Sequence, residues 1–184
     1  MILEIVKYGH PVLRTKGERI PAADPKLRKL ATDMLATMEA AHGVGLAAQQ
    51  IGLPIQLAVI NVAGIEDRPS TMLIGGQPVI VDEHMPLVLL NPELVLSKER
   101  ESGNEGCLSF PEISAEIMRA AAVKAKAQTL DGTTIEFEAT GLLARALQHE
   151  VDHLHGILFI DRMNTATKVT LAGRLKRLKK ESGY

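Results

Sequence analysis

The sequence predicts an α+β fold, and three observations carry that prediction. Helical periodicity is confined to a segment near the start and to the last third of the chain. Strand-like stretches fill the middle, ending in a sharp hairpin signal at Asp131-Gly132. Regular β-α alternation, which a doubly wound parallel sheet requires, is missing. The expectation is one domain over residues 1–184, with mostly antiparallel sheet around a central helix and a further helix at the C-terminal end.

In "DPKLRKLATDMLATMEAAHG", Asp24 stands as N-cap, Pro25 at the first helical position, and Leu27, Leu30, Met34 and Met38 recur at helical spacing before Gly43. A glycine-rich stretch, "GVGLAAQQIG", leads into "IQLAVINV", an apolar β-branched run expected as a buried strand. Residues 63–86 carry several Gly and Pro and only a short apolar run, "PVIV", and read as a loop excursion with room for a hairpin. "LVLLNPELVLSKE" reads as two strand-like halves around Asn91-Pro92.

Around Asp131-Gly132, "VKAKAQTLDGTTIEFEA" alternates with Ile135, Phe137 and Ala139 on one face, the pattern of a tight hairpin. The helix "GLLARALQHEVDHLHG" follows. Leu143, Leu147, Val151 and Leu154 lie along one side, His149 and His153 on another, and Gly156 closes it. A last helical segment, 164–184, contains "GRLKRLKK".

Among 184 residues, 46% hydrophobic content suffices for a real core, and a net charge of -1 argues against a surface that wraps nucleic acid. No apolar run approaches membrane-spanning length. The single cysteine, Cys107, excludes an internal disulfide, and the start "MILEIVKYGHP" lacks a basic leader region. A cytoplasmic protein without membrane contact or sequence-specific nucleic-acid binding is expected.

Chemistry concentrates in "QHEVDHLHG". Four residues apart on a helix, His149 and His153 share one face and can reach one metal, with Glu150 beside it as a general base. A catalytic site of this kind needs a third protein ligand and an open position. In the metzincin extension that ligand would fall on Phe159, which cannot serve. Downstream carboxylates amount to Asp161 and Glu181, which do not form the helix-borne acidic motif of thermolysin-like enzymes. Upstream, Cys107 in "EGCLSFP" offers a thiolate, a strong ligand for borderline metals. The residues alone therefore point to a metal hydrolase, with a metallopeptidase and a non-enzymatic structural-metal module as alternatives.

Taken in order, "GVGLAAQQIG", "EGCLSFP" and "QHEVDHLHG" resemble the three motifs of peptide deformylases. That resemblance implies one divalent metal per chain, bound by Cys107, His149 and His153. Fe(II) is the expected ion, with zinc, nickel or cobalt as substitutes. It implies hydrolysis of the formyl amide on N-terminal formylmethionine, releasing formate, with Glu150 as base and then acid. Gln50 and the backbone N–H of Leu108 would stabilise the developing oxyanion.

By the same resemblance, Gly43, Val44, Gly45 and Gly106 contact the peptide, while Leu142 and Ala146 join Val44 in lining the methionine pocket. Arg119 and Glu105 match a pair expected to support the cysteine loop. Two positions depart from some relatives. Arg145 replaces an aliphatic residue and is expected at the pocket mouth, tuning preference for the residue after methionine, and Ser114 replaces an arginine near the substrate. The implied partners are nascent formylated polypeptides in a bacterial cytoplasm and, through the basic terminal helix, the ribosome. His10, His42, His84 and His155 fall outside motif spacing and are expected to be structural or exposed.

Overall fold

A computed structural model describes residues 1–183; Tyr184, last in the expected terminal segment, lies outside the described residues. The first helix, α1 (Pro25–Ala40), starts where the cap signals put it, because the Asp24 carboxylate accepts the Leu27 N–H at 2.7 Å. Its buried side presses Leu27, Met34 and Met38 onto the strands β1 (Gly45–Ala47) and β2 (Leu57–Ile60). All four β2 residues are buried, as the apolar run predicts.

Residues 63–86 do hold a hairpin within the loop excursion. Strands β3 (Ser70–Ile74) and β4 (Gln77–Val79) form a hairpin turning on Gly75 and Gly76, both at positive φ. The anticipated halves around Asn91 are one strand, β5 (Leu87–Leu96), with a pairing irregularity between Leu90 and Glu93. Asn91 sits at φ 50°, and its buried amide exchanges hydrogen bonds with the Ile20 backbone at 2.8 Å, which holds the strand together through the bend.

A hairpin that the sequence pattern does not mark follows: β6 (Arg100–Cys107) and β7 (Phe110–Ala120), paired as a separate two-stranded sheet. The predicted hairpin is β8 (Ala122–Gln128) with β9 (Thr134–Thr140), and Phe137 and Ala139 face the core from it. Seven strands run β1-β2-β5-β8-β9-β3-β4, antiparallel throughout.

Helix α2 (Gly141–Leu154) packs between this sheet and the β6–β7 hairpin, and twelve of its fourteen residues are buried. Leu143 and Leu147 join Ile60, Leu89, Val123 and Phe137 in the main core. The histidine side does lie apart from the aliphatic stripe, but it meets the hairpin instead of solvent. A one-turn helix, α3 (Phe159–Arg162), leads to α4 (Thr165–Glu181), capped by Asn164. Leu171 and the half-buried Leu175 and Leu178 fasten α4 to a cluster around Phe110 and Phe159.

Candidate metal centre

Three elements converge on one point. Helix α2 brings His149 and His153 side by side, their ring centroids 5.0 Å apart, and β6 ends at Cys107. One ligating atom from each of the three lies within 4.8 Å of the others, and Cys107 Sγ stands 3.3 Å from His153 Nε2. Donors bound to one ion at roughly 2.0–2.3 Å must be about this close together. A thiolate with two imidazoles also suits a borderline divalent ion. The residues fit a metal, and among the described residues no other group of His, Cys, Asp and Glu does.

Surrounding groups fix these donors. His149 Nδ1 is 2.9 Å from Glu105, which leaves Nε2 for the metal side and sets the ring's orientation. Glu105 is also gripped by Arg119 in a two-pronged pair at 2.8 and 3.0 Å, and by Arg145 at 3.0 Å. Burial alone would push the Glu105 carboxyl up. The hydrogen bonds of His149 and Arg119, with the Arg119 charge, outweigh it and hold the group well below the ordinary carboxylate range. Arg119 continues to Asp152 at 2.5 Å, and Asp152 to Arg162 at 2.7 Å. The expected Arg119–Glu105 pairing is present, within a larger network that also holds a histidine.

His153 differs from its neighbour. Burial first, then the cationic surroundings of His149 and Arg119, keep its pKa well below the usual value, so it stays neutral and able to ligate. For His149 burial acts in the same direction, but Cys107 and Glu105 overcome it and raise the pKa. A bound metal would compete for that proton.

Glu150 is buried, and burial pushes its carboxyl up to about 7. Its Oε2 has no hydrogen-bond partner among the described residues. The packing explains Gly45: a Cβ at that position would collide with the Glu150 carboxylate. Gln50, itself buried at the end of a 3-10 turn (Ala48–Ile51), points its amide nitrogen at Cys107 Sγ (3.5 Å) and Ser109 Oγ (3.3 Å). Its amide oxygen is held by the Ala47 N–H at 2.9 Å, which fixes which end faces the site.

A cavity of about 290 Å³ opens beside this cluster, near the small end for a small-molecule site. Gly43, Val44, Gly45, Gln50, Gly106, Cys107, Leu108, Leu142, Ala146, His149 and Glu150 all line it. His153 does not line it. His42, Arg68 and Asn104 line it too, although no motif marked them.

Arg145 also lines the cavity, but its guanidinium is not at a mouth. Only 5% exposed, it donates to Glu105, to Ile117 O at 2.8 Å and to Glu101 O at 3.1 Å, tying α2 to both strands of the hairpin. Ser114 is exposed on β7, opposite Gly106.

Comparisons with known proteins bear on the family and the fold. A family model described as polypeptide deformylase matches residues 2–169. A peptide deformylase from Methylacidiphilum infernorum is 48% identical over 98% of this chain and 94% of the relative, and one from Opitutus terrae 46% over the same shares. Among solved structures, a plant peptide deformylase superposes with a TM-score of 0.84 at 37% identity, covering 97% of this chain and 90% of that one. The Thermotoga maritima peptide deformylase gives 0.76 at 36% identity, covering 89% and 99%. A match of that extent, in both sequence and fold, settles the kinship: the chain belongs to the polypeptide deformylase family, whose members remove the formyl group from N-terminal methionine.

Proposed function

We propose that Glu150 is the proton carrier of this deformylation, and one observation carries the reading. It is a buried carboxyl, free on one oxygen and with a pKa near neutrality, beside a Cys/His/His donor set. A metal held by Cys107, His149 and His153 would polarise the formyl carbonyl and make a water acidic enough to lose its proton near neutral pH. Glu150 takes that proton as the formyl carbon is attacked, then delivers it to the amine nitrogen as the C–N bond breaks. Formate and a free methionyl terminus result.

Gln50 Nε2 and the Leu108 N–H donate to the oxygen that gains charge. The locked orientation of the Gln50 amide supports that role, since a preorganised donor needs no rearrangement during the reaction. Gly43, Gly45 and Gly106 flank the peptide backbone, and Val44, Leu142 and Ala146 receive the methionine side chain. Fe(II) is the ion this reading expects in the cell, with zinc, nickel or cobalt as substitutes.

The test is formate release from a formyl-Met tripeptide by protein prepared without oxygen and loaded with Fe(II), beside Glu150→Ala. The variant is expected to keep one metal per chain and lose about a thousandfold in rate. A variant as fast as the parent would remove Glu150 from the chemistry.

The protein meets its substrate, new formylated chains in a bacterial cytoplasm, at the ribosome through α4. In support, Lys176, Arg177, Lys179 and Lys180 are exposed on that helix, a basic patch suited to phosphate. Reversing Lys176 and Lys180 to Glu is expected to weaken co-sedimentation with ribosomes at low salt. Unchanged co-sedimentation would end this docking reading.

A further inference from the structure

We infer that Arg68 is a specificity-determining residue, closing the far end of the methionine pocket and setting the side-chain length it admits. The inference rests on the deformylase reading and adds a residue outside the three motifs. From α2 the cavity is lined by Leu142, Arg145, Ala146, His149 and Glu150, one stripe along the helix. Its reacting end is at His149 and Glu150. The apolar end is at Leu142, seven residues earlier and so roughly 10 Å away along the axis. An extended methionine side chain leaving a formyl group at the metal covers most of that distance.

Arg68 stands at this apolar end. The chain beside it is pinned to the first turn of α2: Ser70 Oγ accepts the Leu143 N–H at 2.9 Å, and Pro69 O accepts the Leu142 N–H at 3.4 Å. Gly141 allows the approach, since a Cβ there would strike Pro69 O and its φ is +65°. From that fixed base the Arg68 guanidinium reaches across to β6 and donates to Asn104 O at 3.1 Å; both residues are exposed, so the bridge forms a solvent-facing wall of the cavity. Arg68 and Asn104 both line the cavity, so the bridge between them spans its end.

A side chain of methionine's length fits in front of this bridge. A longer one has to push the guanidinium aside and break its bond to Asn104, losing what its extra methylenes would otherwise gain in an apolar pocket. Arg68 acts on the far end of the side chain, away from the reacting atoms, so its effect depends on substrate length.

The experiment compares kcat/KM for formyl-Met-Ala-Ser with that for the same peptide carrying aminooctanoate, two carbons longer, in place of methionine. Parent, Arg68→Ala and Arg68→Lys are measured as Fe(II) holoenzymes. The ratio of long to normal substrate is expected to rise about tenfold in Arg68→Ala and to return toward the parent in Arg68→Lys. A ratio within one preparation is insensitive to how much protein is folded, so a merely structural role leaves it still. An unmoved ratio in Arg68→Ala overturns the inference and leaves deformylation standing. No formate from the parent with the methionine peptide removes both.

Discussion

Two arginine–carboxylate pairs in this molecule share a chemistry and differ in everything around it. Glu105 and Arg119, behind the metal site, have side chains only 5% and 4% exposed, and the carboxylate is further held by Arg145 and His149. Arg14 and Asp161 meet at 2.5 and 3.1 Å, a similar two-pronged contact, yet stand 46% and 39% exposed. Geometry alone would rank them as equals. Burial separates them, because removing one partner of a buried pair strands the other charge away from water, whereas an exposed partner is resolvated.

The largest effect expected from this contrast is Glu105→Ala. It leaves Arg119 and Arg145 buried without their shared anion and frees the His149 ring, so a loss of roughly 3–5 kcal/mol in urea unfolding follows. Metal affinity, read by competition with a chelator, is expected to drop about 10–100-fold. If Glu105→Ala costs no more than a surface substitution, the network does not hold the site.

Arg145→Ala comes next. Glu105 keeps Arg119, but the carbonyls of Ile117 and Glu101 each lose a charged donor, and the hairpin loses a tie to α2. A cost of about 2 kcal/mol is expected. Arg145→Lys should restore little of it, because an ammonium cannot span these acceptors as a planar fork does. Unchanged stability in Arg145→Ala would instead show that these bonds do not hold the hairpin to α2.

That misplacement of Arg145 marks the limit of what the sequence reveals. Helix α1, the β8–β9 hairpin and the histidine face of α2 were legible because each obeys a local rule of capping, turn chemistry or periodicity. The β6–β7 hairpin obeys such a rule only in part. Ile113, Ala115 and Ile117 alternate inward, but β6 is almost wholly polar and carries no pattern of its own. Without β6 in place, nothing placed Arg145 under a strand or brought Glu105 onto His149. Arg68 was invisible for a similar reason: its position depends on Ser70 capping α2, a contact across seventy-three residues. The Cys/His/His donor set is legible because two short motifs concentrate it, whereas the residues around it are scattered over the chain.

The smallest effect belongs to Asp161→Asn, and here the sign with pH distinguishes it. Burial would raise the Asp161 carboxyl, but the hydrogen bonds from Arg14 and the Leu158 N–H outweigh that and hold it below its ordinary value. A depressed carboxyl stabilises the fold above its unfolded pKa, about 3.9, and that contribution fades as pH falls through the lower folded value. At neutral pH the variant should melt slightly below the parent, by less than about 1 kcal/mol given the exposure of the pair. The gap should narrow below about pH 4, and it should also shrink in 1 M salt, where exposed charges are screened. The cost of Glu105→Ala, buried from both solvent and ions, should hardly respond to salt. If melting curves show the two variants equally sensitive to salt, burial is not what separates the pairs, and the contrast fails at its root.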